Sequence, residues 1–430
     1  MTETIPTRTL ARSDGRGRKL VHADICVFGA GISGISAALE AAKLGRQVVL
    51  VDGAPAIGGQ AIGSIIGTII GLFSHGPGAF QLTHGIADEL IADLGAEGSI
   101  LRLRNSTVTF QYNEVRLARW MERRLEAARV KTLIGAVLTA VEFSGRRVRH
   151  IDLATRFGNV RVEADGFVDA SGDATLSFEA GLPVREPAAP VFGSLNFLIE
   201  GYDPIEVADL DMPAVRERLK THGAKYGLVR HDGWLMPFAD QGFMLANINH
   251  IETPLDPLGA ATMVFEGRRQ ADAVIDFLRA EFSRIFANAR VRAYGNPGIR
   301  QTRWIVGHRQ LSLEDIRKSD RPADAVARCA WCVELHSTAE LVHWEHFPDG
   351  HVYFIPLSCM VPADADNIVA AGRCVDADSH ALSAIRVMGP CIAMGAAAAH
   401  ALNLAGSGSL ADISIDELQT GLHDNLERTD

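Results

Sequence analysis

The chain opens its patterned region with a short apolar run, Asp24-Ile-Cys-Val-Phe28, rich in strand formers and broken at Gly29-Ala-Gly31-Ile-Ser-Gly34. Ile35, Ala38, Leu39 and Ala42 then recur at helical spacing until Gly45 stops them. Gln47-Val-Val-Leu-Val51 resumes as a strand and ends in Asp52. The pattern predicts strand, glycine turn, helix, strand, acid. Two more apolar strands run into small-residue turns: Phe167-Val-Asp-Ala-Ser-Gly-Asp173, and much later Asn367-Ile-Val-Ala-Ala-Gly372-Arg373. An Ala-rich helix is expected from about Cys391 to Leu404, with Pro390 at its first position, where a missing N–H costs nothing. Between these lie extended runs at Gly193 to Ile199 and Gly242 to Ile248, and a helical pattern from Ala260 to Phe286.

The first unit has a physical reading. Gly29 permits a tight turn, Gly31 admits a pyrophosphate to the backbone, and Gly34 lets helix and strand pack closely. The helix N-terminus, with Ser33 in its first turn, offers N–H groups and partial positive charge to phosphates. Asp52 stands about 20 residues on, where a carboxylate accepts hydrogen bonds from ribose hydroxyls and disfavours a 2′-phosphate. Dinucleotide binding follows from this whole context, whereas a lone glycine loop would carry little weight.

Residues 53–87 contain no Asp, Glu, Lys or Arg, and Gly59, Gly63, Gly67 and Gly71 fall every fourth residue within them. That spacing suits close helix packing in a membrane. The apolar part, Ala61 to Phe73, is nevertheless shorter than the roughly 20 residues a span needs. A wall of the cofactor site, where bare glycine backbone approaches the ligand, is the expectation.

Composition adds bounds. The 430 residues are 47% hydrophobic and 22% charged, with a net charge of −10, so there is no global basic footprint for nucleic acid. Six scattered cysteines do not read as a disulfide framework, and the cytoplasm is the expected location. Residues 1–20 are polar and Arg-rich and are expected to form a disordered tail.

Together the VDGAPAIGGQ turn, the DASGDA turn, IRQTRWIVGHRQLSLEDI at 299–316 and the NIVAAGRC…RVMGPC block resemble the glutathione-reductase-like FAD flavoproteins. More closely, they are similar to the FAD-dependent oxidoreductase family, over most of residues 22–405. The resemblance implies an α/β fold: a Rossmann-like FAD-binding domain, a parallel sheet with helices on one side and a small antiparallel sheet, plus an inserted α+β substrate or cap domain. FAD binding is expected from 21–183 and 351–408, the cap from 184–350, and a C-terminal helical tail from 409–430. The FAD contacts it implies are Gly29, Gly31, Ser33, Gly34, Asp52, Gly59, Gln60, Val137, Ala170, Ser171, Gly172, Gly372, Arg373, Met388 and Gly389. Many relatives carry Asp where this chain has Arg373, which changes the chemistry of that contact.

No second Gly-x-Gly-x-x-Gly follows a strand, and Ala61 and Ile66 stand where disulfide reductases carry redox cysteines. The expected activity is therefore dehydrogenase or oxidase chemistry on a small polar or aromatic metabolite, with hydride passing to flavin N5 and reoxidation by O2, a quinone or a partner protein. A flavin monooxygenase served by a separate reductase, or a non-redox enzyme with a structural flavin, is the alternative. His336, at a position where the family pattern carries Asp-x-His, is the candidate base, with Glu334 as its orienter or as a surface neighbour. Arg300 and Arg303 are candidate carboxylate clamps or structural ion pairs. Arg386 could hold an anion or brace a turn, and Tyr353 is either an acid/base group or a core aromatic. No metal is expected, because Cys329-Ala-Trp-Cys332 has no second pair at matching spacing. The expected partners are a small-molecule substrate and an electron acceptor, with neither nucleic acid nor a membrane span, and a homo-oligomer stays open.

Overall fold

The computed structural model describes residues 7, 18–238 and 241–429. Most of the expected tail lies outside them, but strand β1 begins at Lys19 and runs to Phe28. It is longer than its apolar signature because Lys19 and Leu20 are exposed and only its last four residues are fully buried. Helix α1 follows at Ile32–Lys43 and strand β2 at Val48–Asp52.

β1 pairs in parallel with β2 on one side and with the long strand Gly158–Asp169 on the other. Lys131–Ile134 extends the parallel sheet beyond β2. The far edge of Gly158–Asp169 is divided between two partners. Its first half pairs antiparallel with Arg147–Thr155, which pairs in turn with Val137–Ser144. Its last residues pair in parallel with Ile368–Ala370. One strand thus joins a small antiparallel meander to a Rossmann-like sheet, and delivers residues 170–172 beside the β1 turn.

The helix Met388–Ala405 lies along α1, where Ser36 Oγ donates to the Ile392 carbonyl at 2.7 Å. It starts before the expected Cys391, so Pro390 is its third residue, still in the turn whose N–H groups lack intrahelical partners. It is long and apolar enough to cross a membrane, but 78% of it is buried in the protein.

The cap is a five-stranded antiparallel sheet centred on Phe192–Glu200, which pairs with Phe243–Asn247, Ile251–Glu252 and Arg290–Gly298. Leu195 and Phe197 from this sheet pack with Val274, Phe277 and Leu278 of the helix Gly259–Glu281. The helical pattern to Phe286 is broken at Phe282, whose φ of −133° and ψ of 45° leave a separate turn Ser283–Phe286. Trp304, Ile305, Ala325 to Ala327, Val333 and Leu335 share the core of the nucleotide-binding sheet instead. Ala325–Cys329 also pairs with Tyr353–Pro356. Ile299 thus packs with the cap core and Trp304 with the first core. Leu410, Leu418, Leu422 and Leu426 seat the C-terminal segment in the first core.

The uncharged stretch is not one helix. It holds a short helix, Gly59–Gly63, and a two-residue strand, Thr68–Ile69. Gly67 and Gly71 adopt left-handed φ values of +72° and +78°, so their regular spacing is incidental. The stretch forms the seam between the domains: Asn196 Nδ2 donates to the Ile65 carbonyl at 3.0 Å, and a side chain at Gly63 would meet Asn296.

Candidate functional site

At the end of β1, Gly29 has φ +106°, and a Cβ there would sit 2.3 Å from the Ala170 carbonyl oxygen. The turn that follows Asp169 presses directly on the glycine turn. Ser171 Oγ donates to Asp169 Oδ1 at 2.7 Å, and the Gly172 N–H donates to Cys374 Sγ at 3.0 Å. Gly31 caps α1 with no side-chain hydrogen bond, and a Cβ built on it meets nothing within 4 Å. No side chain therefore caps the α1 N-terminus, whose N–H groups and partial positive charge suit an anion.

Asp52 is oriented by backbone: Oδ2 accepts from the Ala30 N–H at 2.6 Å and Oδ1 from the Ala54 N–H at 2.7 Å. Each oxygen keeps a further lone pair for a hydroxyl donor. The Ala136 N–H donates to the Asp52 carbonyl at 3.0 Å, which brings the half-exposed Val137 to the same end of the sheet. Gly59 crowds Gly31, with a would-be Cβ 2.8 Å from its Cα.

On the other side, a Cβ at Gly372 would lie 2.5 Å from Ser33 Oγ. Arg373 folds over Gly172 and reaches Asp173 Oδ1 through Nη2 at 3.3 Å, while its buried Nη1 has no hydrogen-bond partner. An oxyanion or carbonyl of a bound cofactor would satisfy that nitrogen. Met388 begins the long helix, and Gly389 donates its N–H to the Ile70 carbonyl at 3.0 Å. Gln60 is engaged elsewhere: its Oε1 accepts from the Ile299 N–H at 3.0 Å and ties the cap to the first domain. The uncapped helix N-terminus, the oriented carboxylate and the unpartnered Arg373 nitrogen fit FAD.

A second cluster borders the start of the Met388 helix. His336 Nδ1 meets His250 Nε2 at 2.8 Å, and His336 Nε2 meets Glu334 Oε1 at 3.1 Å. His250 Nδ1 meets the Ala339 carbonyl at 3.0 Å. Glu334 Oε2 accepts from Trp331 Nε1 at 3.1 Å. Arg386 Nη2 donates to the Glu334 carbonyl at 3.1 Å and lies 4.0 Å from its carboxylate, while its buried Nε has no partner. Arg300 donates to the Phe192 carbonyl at 2.7 Å and to Ser194 Oγ at 3.1 Å. Arg230, 4% exposed, pairs with Asp232 at 2.7 Å and donates to Asn247 Oδ1 at 2.7 Å.

Hydrogen positions along the histidine chain follow from its ends. A backbone carbonyl only accepts, so His250 Nδ1 carries a proton; if His250 is neutral, its Nε2 accepts from His336 Nδ1–H. His336 Nε2 then faces the Glu334 carboxylate with no hydrogen between them. Three contacts need three protons, and two neutral imidazoles supply two. Burial pushes the His336 pKa well down, and Arg300, Arg386 and Arg230 add to this. His250 is lowered by burial and by Arg230 and Arg300. Arg300 itself is lowered by burial and by Arg386 and Arg230. The Nε2–Oε1 contact is the one place in the chain where two neutral imidazoles leave no hydrogen to share.

Exposure ranks the two members of that link. The His336 side chain is 1% exposed with both nitrogens engaged, whereas Glu334 is 16% exposed. Of the expected base and its orienter, Glu334 is thus the more open to a ligand. Arg303 stands apart from the cluster, stacked 4.1 Å over the Phe178 ring. Tyr353 is a core aromatic: its hydroxyl donates to the Trp331 carbonyl at 2.7 Å, and burial raises its pKa well above the usual value. Cys329 and Cys332 are buried free thiols that burial pushes up to about 11 and about 12. His250, Arg230 and Asp232 carried no sequence signal, since His250 lies 86 residues from its partner in an ordinary cap strand region.

Comparison with known proteins agrees with the fold. Over 58 residues, 14% of this chain and 13% of the other, the sequence is 45% identical to the probable oxidoreductase OrdL of Haemophilus influenzae. The chain therefore matches only about an eighth of that relative's length. A geranylgeranyl bacteriochlorophyll reductase-like protein of Thermoplasma acidophilum superposes with a TM-score of 0.50 at 14% identity, over 95% of this chain and 84% of that one. The flavin-dependent brominase Bmp2 gives 0.48 at 14% identity, over 94% and 83%. The sequence model of the family described as FAD dependent oxidoreductase matches residues 24–422. The chain belongs to the FAD-dependent oxidoreductase family and is an FAD enzyme.

Proposed function

We propose that the protein is a dehydrogenase or oxidase of the glutathione-reductase-like class, in which Glu334 takes a proton from the substrate as the substrate is oxidised. The observation that carries this reading is the placement of the partly open Glu334 carboxylate, 3.1 Å from His336 Nε2, at the end of a buried side-chain relay that runs through His250 to the Ala339 carbonyl. A proton arriving at the carboxylate completes a continuous chain from Glu334 to the Ala339 carbonyl. His336 and His250 act behind it: they hold the carboxylate in place and spread the charge of the arriving proton. The residues that would hold FAD are those at the α1 end, Asp52, the 170–172 turn and Arg373.

Bound FAD supplies the two-electron acceptor for the hydride. The substrate loses that hydride from carbon and a proton from its hydroxyl or amine, leaving a C=O or C=N bond. Arg386 borders both the carboxylate and the helix start, and so orients the substrate against it. A monooxygenase instead needs a dry, apolar chamber. The buried arginines, carboxylate and imidazoles gathered here argue against that chamber.

Anaerobic mixing with candidate substrates tests the reading. Bleaching of the flavin by substrate alone is expected. Bleaching that requires NAD(P)H and a reductase, with oxygen later found in the product, refutes it in favour of the monooxygenase. No bleaching under either condition removes both and leaves a structural flavin.

A further inference from the structure

The charges around Glu334 do not balance. Arg230, Arg300 and Arg386 face Glu334 and Asp232, and both imidazoles are neutral by the pKa directions above. Asp232 belongs to Arg230, with Nε to Oδ1 at 2.7 Å, and its other oxygen accepts the Val342 N–H at 2.7 Å. Glu334 is the only carboxylate within 4.0 Å of Arg386 among the described residues. Arg300 has no carboxylate within that distance among them, and its hydrogen bonds go to a carbonyl and a hydroxyl. One positive charge is left over in a desolvated place, where an unpaired ion is costly. Arg386 Nε is a buried donor without a partner in the same cluster. The cofactor's own phosphates have other donors, at the α1 end and Arg373. Arg300, by contrast, is anchored to the cap strand through Phe192 and Ser194.

We propose that this cluster binds a small carboxylate monoanion, whose oxygens take the spare charge of Arg300 and the free Nε of Arg386 beside Glu334. Guanidinium groups suit carboxylates because two N–H groups match two oxygens. The single unmatched charge selects a monoanion over a dianion, which would leave net negative charge beside Glu334. A neutral molecule would leave both the charge and the donor unmet. The inference rests on the dehydrogenase reading for its role as substrate, but binding itself is independent of turnover.

The test is a spectral titration of the FAD-loaded protein, under air and without turnover, with acetate, glycolate and benzoate and with their amides. Perturbation of the flavin bands by at least one acid, and by none of the matching amides, is expected. Replacement R300Q should weaken that acid by at least about tenfold, the usual worth of a charged hydrogen bond, while R303Q leaves it unchanged. If R300Q does not fold, the acid-against-amide comparison on the wild type still decides the matter. No response to any acid, equal response to acid and amide, or an equal response to chloride overturns the proposal. Acid binding without anaerobic bleaching leaves the carboxylate site standing and removes the dehydrogenase reading. Bleaching by a neutral substrate at a rate that R300Q does not alter does the reverse.

Discussion

Replacing Glu334 with Gln changes one proton-accepting atom and little else. The amide oxygen can still accept from Trp331 Nε1, now at 3.1 Å, and the amide nitrogen can donate to His336 Nε2 across the other 3.1 Å contact. The three-contact chain is then complete without any incoming proton. What disappears is the acceptor. General-base catalysis is worth about 10²–10⁴ in rate, so flavin reduction should slow by that factor, equivalent to about 3–5 kcal/mol of barrier. Arg386 loses its carboxylate neighbour at 4.0 Å. The hydrogen bonds survive, so the stability loss should stay within about 1–3 kcal/mol, the range for a charged hydrogen bond made neutral. A further sign follows from charge. With the carboxylate gone, two positive charges are unmatched, so a carboxylate ligand should bind the variant no more weakly than the wild type. The assay is anaerobic stopped-flow reduction of the bound flavin by a substrate the wild type accepts. A variant that reduces its flavin within tenfold of the wild-type rate would falsify the assignment of Glu334 as base.

Three other outcomes are expected. In G389A the new methyl would lie 2.1 Å from the Gly71 carbonyl oxygen and 2.6 Å from the Leu72 nitrogen, both backbone. The start of the long helix must shift, costing about 1–3 kcal/mol, and a wild-type melting temperature together with full flavin content would contradict this. In Y353F the Trp331 carbonyl loses its 2.7 Å donor, so chemical denaturation should show a loss of about 1–3 kcal/mol while the flavin-reduction rate is unchanged; a large rate loss would return Tyr353 to the chemistry. His250 is held neutral in the folded protein by burial, then by Arg230 and Arg300. The unfolded chain protonates it near pH 6.5, so its contribution is intact above that pH. It drains as pH falls, by about 1.4 kcal/mol per unit. H250Q should flatten that slope, and an identical pH–stability curve in the variant would show that His250 is not buried neutral.

The nucleotide-binding unit was legible in the sequence because its requirements are local. Gly29 and Gly31 follow directly on an apolar strand, and the α1 spacing and Asp52 lie within one strand–helix–strand unit, where sterics and periodicity act over a few residues. The outer half of β1 escaped because Lys19 and Leu20 remain exposed there, so its pairing with Gly158–Asp169 leaves no apolar signature. The glycine spacing from 59 to 71 could not be interpreted from sequence for the opposite reason. A regular interval suggests one element, while left-handed turns at Gly67 and Gly71 serve contacts with the cap and with Val387 at the start of the long helix.

The candidate site depended on contacts between distant residues. Residue type and motif position singled out His336 as base, along with Arg300 and Arg386, yet gave no means to tell Arg300 from Arg303. The cap sheet decided that, by carrying Ser194, Arg230 and His250 against the segment 334–336. Burial then sealed both nitrogens of His336 and left Glu334 the more open of the two. Local sequence therefore specified the cofactor and its cradle. Only the tertiary structure, by desolvating charges drawn from two domains around one carboxylate, decided which of these side chains are sealed and which stays partly open.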